Sequence, residues 1–161
     1  TPRRAELARS AEGPGSTIAA GPEGFLVAWT STDGTVLTLA RLDREGARVG
    51  APTELRANAQ TRVLRYPRIT ALGAGWALSY WDGTGGPVLQ RLDANASPVG
   101  APITVRTGDE RGGHTSAGLA FLHGDTLAVS WQVTGPTYGH GSPGEQPRRP
   151  GARLATLRCR R

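Results

Sequence analysis

The feature that most constrains this chain is that it states one pattern three times. Gly24-Phe25-Leu26-Val27-Ala28-Trp29 returns as Gly75-Trp76-Ala77-Leu78-Ser79-Tyr80 and again as Thr126-Leu127-Ala128-Val129-Ser130-Trp131. Trp29, Tyr80 and Trp131 fall at intervals of 51 and 51 residues, and a fixed period of that length marks a repeat architecture. In the first copy Phe25, Val27 and Trp29 point one way and Leu26 and Ala28 the other. A strand with two apolar faces has to be covered on both, so each copy is expected to be the central strand of a sheet stacked between others. Trp29, Tyr80 and Trp131 are then expected to be core aromatics.

The remaining segments fill out a four-strand repeat, a-b-c-d, with the pattern above as strand b. Strand a is expected at 16–20, 68–72 and 118–122, and short Gly-bearing turns such as Pro22-Glu23-Gly24 and Gly73-Ala74-Gly75 join it to strand b. Strand c is Leu39-Ala40-Arg41-Leu42-Asp43, then Leu89-Gln90-Arg91-Leu92-Asp93, then a weaker Thr156-Leu157-Arg158-Cys159-Arg160. Arg and Asp two apart on a strand share a side, which predicts an ion pair there in the first two repeats, lost in the third where Arg160 stands for Asp. In the turns that follow, Gly46 and Asn95 are the residues that tolerate a left-handed backbone. Val49-Gly50-Ala51-Pro52 and Val99-Gly100-Ala101-Pro102 then open strand d, and Pro, having no N–H to donate, suits an outer edge strand.

No third strand d follows strand c before Arg161, whereas the opening segment aligns with strand d, Leu7 matching Leu55 and Val105. One domain over 1–161 is expected: a closing strand at 1–10 and repeats at 16–57, 67–107 and 117–161, the opening segment completing the last repeat. A chain of 161 residues is long enough for one domain with its own core.

Composition narrows the function classes. The formal charge is +6, but all 19 basic residues are Arg and they are scattered. No basic stripe tracks a phosphate backbone, so no nucleic-acid partner is expected. The single cysteine, Cys159, excludes an intrachain disulfide. No apolar run approaches the roughly 20 residues of a spanning helix, and no membrane span is expected.

The Gly turn, the LVAW-like strand, the ARLD-like strand and the VGAP-like strand together resemble the repeats of bacterial secreted and cell-surface β-propellers. The resemblance covers nearly the whole chain. It implies an all-β fold of the β-propeller type, three four-stranded antiparallel repeats with strand a innermost and strand d at the rim, and an extracellular or cell-surface location, or a periplasmic one. Propellers typically have 4 to 8 blades and this chain has three repeats. Three assemblies satisfy that count: two copies in a six-bladed ring, part of a longer propeller, or another three-fold design such as a β-trefoil or β-prism. Ser31-Thr32-Asp33-Gly34-Thr35 is a near miss to the Asp-box of sialidase-like blades, lacking the spacer before Gly and the closing aromatic, so no sialidase chemistry is carried over.

Alternating strand direction places the b-to-c and d-to-a connections on one side, and these are the long and varied ones. Loops held by a rigid scaffold carry function, so the candidate partner-binding residues are Trp81, Asp82, Asp109, His114, Tyr138 and His140. Trp81-Asp82 is the kind of exposed pair that stacks on a sugar ring and accepts its hydroxyl protons; as structure it is a packing aromatic and a turn Asp. The three histidines show no metal-ligand spacing, and neither a metal nor a cofactor is expected. The sequence therefore points to a non-enzymatic module that binds a protein partner or associates with itself. A glycan-binding lectin is the alternative, and a glycoside hydrolase using Asp82, Asp109 and Glu110 comes third.

Overall fold

The structure, a computed structural model, describes residues 15–83, 87–105, 113–121, 126–134 and 151–158. Within them the chain is all-β, eleven strands and no helix. β1 (Ser16–Gly21), β2 (Gly24–Thr30), β3 (Val36–Leu42) and β4 (Arg48–Arg56) form the first sheet. β5 (Arg65–Leu72), β6 (Gly75–Trp81), β7 (Pro87–Leu92) and β8 (Pro98–Thr104) form the second, and β9 (Gly113–Phe121), β10 (Thr126–Thr134) and β11 (Gly151–Arg158) the third. Each sheet is an antiparallel meander in chain order. The third has three strands among the described residues, with β11 outermost; residues 1–10, expected beside it, lie outside the described residues, as does Cys159.

The turns between third and fourth strands show how the sequence sets this meander. Asp43 Oδ1 accepts from the backbone N–H of Glu45 at 3.0 Å and of Ala47 at 2.8 Å. Asp93 Oδ1 does the same for Asn95 and Ser97, both at 2.8 Å. Each turn closes with one residue at positive φ, Gly46 at 84° and Ala96 at 63°, as in a type I turn followed by a G1 bulge. The left-handed residue of the second turn is thus Ala96, one past Asn95. The ion pair expected between Arg41 and Asp43 is absent for the same reason: the Asp lies past the end of the strand, where it caps backbone amides. Arg41 reaches instead to Glu23, at 3.8 Å, and donates from Nη1 to Asn95 Oδ1 at 2.8 Å, tying the first sheet to the second.

The repeated Val-Gly-Ala-Pro segment makes a bulge within the outer strand. Between Leu39 and Arg41 of β3, the partner residues on β4 run from Thr53 to Val49; between Leu89 and Arg91 of β7, those on β8 run from Ile103 to Val99. The outer strand spends four residues where the inner spends two, which requires Gly50 and Gly100 at φ of 74° and 71° and leaves no N–H unpaired at Pro52 and Pro102. In the second sheet the buried Gln90 donates from Nε2 into this bulge, to the carbonyls of Arg91, Val99 and Gly100 at 2.9, 3.2 and 3.3 Å.

The sheets meet along their first strands, β1 lying against β5 and β5 against β9. Leu26, Ala28, Leu37 and Leu39 of the first sheet pack against Ile69, Trp76, Leu78, Tyr80, Val88 and Leu92 of the second. Ala77, Leu89 and Val105 of the second pack against Leu127, Val129 and Trp131 of the third. β6 therefore turns its larger side chains to the first sheet and its smaller ones to the third, and β10 turns its larger ones to the second. Gly21 belongs to this arrangement, since a methyl group there would overlap the Trp76 ring.

Register also corrects two sequence alignments. Ile18 faces Val27, Ile69 faces Leu78 and Leu119 faces Val129, so these three are equivalent and strand a is shifted by one from the expected match. Leu39, Leu89 and Leu154 are likewise equivalent, facing Ala28, Ser79 and Ser130. The third strand c is thus Leu154-Ala155-Thr156-Leu157, two residues earlier than the Arg-containing echo implied. Of the three aromatics expected in the core, Tyr80 and Trp131 are buried and Trp29 is half-buried.

Candidate functional site

At the end of the sheets where the long connections gather, the described segments are built from short local hydrogen bonds. Asp33 Oδ1 accepts from Ser31 Oγ at 2.6 Å and from the N–H and hydroxyl of Thr35, both at 2.9 Å. These bonds, that of the Ser31 hydroxyl first, hold the Asp33 carboxyl down at about 2. The connection 57–64 is fastened onto this turn: the Ala57 N–H donates to Thr35 O at 2.8 Å, and the Leu64 N–H to Gly34 O at 2.6 Å. Asn58 Oδ1 caps the N–H groups of Gln60 and Thr61 at 2.9 Å each, and the Leu64 side chain is in the core. This part of the surface is pinned in shape.

Trp81 closes β6, opposite Arg65 on one side and Pro87 on the other. It is half-buried, and its Nε1 and the Arg65 Nε are buried without a hydrogen-bond partner. Asp82 beside it is buried. The Tyr80 phenol is pushed up to about 12, by burial first and then by the Asp82 charge. Trp81 and Asp82 are therefore more enclosed than the exposed platform that stacking on a sugar needs. Of the other residues picked out from the sequence, His114 falls in β9 opposite Val133, and Asp109, Tyr138 and His140 lie outside the described residues.

At the opposite end of the sheets, sequence reasoning missed a cleft of about 170 Å³ between the first two sheets. Arg41 and Trp76 line it, together with the Pro22–Gly24 turn. The available signal was the Arg of the repeated strand c motif. Its volume is below the roughly 300 Å³ at which pockets begin to enclose a drug-sized molecule, and its guanidinium is already engaged by Glu23 and Asn95. Among the described residues no group of three or more His, Cys, Asp and Glu side chains is placed to hold a metal ion, and no helix is long and apolar enough to cross a membrane.

Among the described residues, two sheet faces carry apolar side chains outside the core clusters. On the first sheet, Ile18, Phe25, Val27 and Trp29 point away from the second sheet and belong to neither core cluster, Val27 itself being buried. On the third sheet, Ala120, Ala128, Ser130, Leu154 and Thr156 point away from the second sheet and belong to neither cluster. No family model, curated protein or solved structure matches the chain.

Proposed function

We propose that the chain is a non-catalytic interaction module of the β-propeller type. Its three sheets are successive blades, residues 1–10 supply the outer strand of the last, and the module binds a protein partner or builds an assembly at the cell surface or outside the cell. The observation that carries this reading is the stacking of the sheets, like strand beside like strand, β1 to β5 to β9. Radially stacked repeats bury each sheet against its neighbours and leave only short edges. Assembly is favoured over repeated sugar sites because the candidate aromatic does not repeat: the positions equivalent to Trp81 are Thr30 and Gln132.

Small-angle scattering and a glycan array test the reading together. Scattering should fit sheets radiating from their first strands, and the array should stay blank. A profile fitting a compact β-trefoil or β-prism would replace the propeller architecture; several equivalent sugar sites per chain would replace the assembly module with a lectin.

A further inference from the structure

The two open faces are the two unlike halves of an interface that the molecule already makes twice. On the larger-side-chain face, the equivalent residues Ile18, Ile69 and Leu119 occupy the first strand of each sheet. Ile69 sits in the core against the first sheet and is 7% exposed, and Leu119 packs against the core shared with the second sheet, whereas Ile18 is 60% exposed. On the smaller-side-chain face the equivalent residues are Leu39, Leu89 and Leu154. The first two are 1% and 7% exposed beneath the following sheet, and Leu154 is 69% exposed.

The central strands repeat the relation with identical residues. Trp131 and Ser79 lie on the facing sides of the third and second sheets, and both are buried. Their counterparts on the open faces are Trp29 on the first sheet and Ser130 on the third, half-buried and exposed. Each open face thus carries the residues that, one repeat along, are covered by a face of the other kind.

We infer that the first sheet of one chain docks on the third sheet of a second copy, through Ile18, Phe25 and Trp29 on one side and Ala128, Ser130 and Leu154 on the other. This rests on the blade reading above and names its partner. The interface joins unlike surfaces, and such an interface gives a ring when the rotation closes. Two chains joined twice make six sheets, within the 4 to 8 of closed propellers. Continuity with the two internal interfaces identifies the occupant, because the surface each face lacks is present on the same chain.

The test uses Ile18→Arg and Leu154→Arg, at side chains exposed in the single chain, so that each variant keeps its β-sheet circular dichroism; Trp29→Ala serves as a second variant of the first face. The unaltered chain should sediment at twice its mass, and each variant alone at the mass of one chain. An equimolar mixture of Ile18→Arg and Leu154→Arg should associate again, more weakly than the unaltered chain, because one of its two interfaces is intact. A one-chain mass or an unbounded polymer for the unaltered chain overturns the inference. So does a Leu154→Arg chain that still pairs, which would mean that like faces meet, or a mixture that stays at one-chain mass. Scattering from the single-chain variants reports the sheet stacking separately, so failure of the pairing and failure of the blade reading can be told apart.

Discussion

Trp29 and Trp131 are the same residue at equivalent positions in two settings, and the difference between them is a neighbouring sheet. Trp131 is 3% exposed against the second sheet, so Trp131→Ala is expected to cost about 3–5 kcal/mol of unfolding free energy. Trp29→Ala in dilute, unassociated chain should cost less than half of that, as chemical denaturation will read. The sequence could not separate the two, because the alternation of β2 is identical in type to that of β10 and nothing in it records which faces have a partner. A second residue prediction concerns Asp33. Its folded carboxyl titrates at about 2 against an unfolded value of 3.8, so its stabilising contribution is present above the unfolded value and is lost as pH falls through about 2. The gap in melting midpoint between the unaltered chain and Asp33→Ala should hold from neutral pH to about pH 4 and narrow toward pH 2. Tyr80 has the opposite sense: its raised pKa of about 12 against 10 stabilises the fold at lower pH, and that contribution is lost as pH rises from 10 through 12. Tyr80→Phe should lessen this part of the alkaline loss of stability.

Among the elements, the outer-strand bulges are the clearest case of sequence dictating backbone. Gly50 and Gly100 have open space around them but sit at positive φ, so Gly50→Ala and Gly100→Ala should each cost about 1 kcal/mol through backbone strain alone. Gln90→Ala should cost about 1–2 kcal/mol, since it removes the donor to the Val99 and Gly100 carbonyls; Ala40, its counterpart in the first sheet, is buried without such a bond. Strand identity and order were legible in the sequence because alternation and Gly-bearing turns recur. Register was less so. The small residues of strand a carry no signal that fixes it, and the Arg-containing tail after Leu157 imitated the motif two residues late. The role of Asp43 and Asp93 was hidden because a carboxylate at a strand end has two competing uses, pairing with Arg or capping the turn, and the two backbone N–H groups within reach decide between them.

For the whole molecule, the all-β class and its antiparallel sheets were legible, and so was the excess of apolar surface on the central strands, which demands stacked sheets. What the repeat could not reveal is that stacking is directional, larger face onto smaller, because that follows from which neighbour each side chain meets. The candidate site was less legible than the fold. The sequence led to polar loop residues, of which Trp81 and Asp82 are partly enclosed, while the surfaces with an unmet counterpart are sheet faces that read as ordinary core. Ile18 and Leu154 are among the most exposed large apolar side chains described.

If these two faces belong to one interface, the unaltered 16.9 kDa chain pairs in solution. Sedimentation equilibrium at micromolar concentration should return twice that mass, independent of further increases in concentration. A folded chain that stays at 16.9 kDa across that range would contradict it.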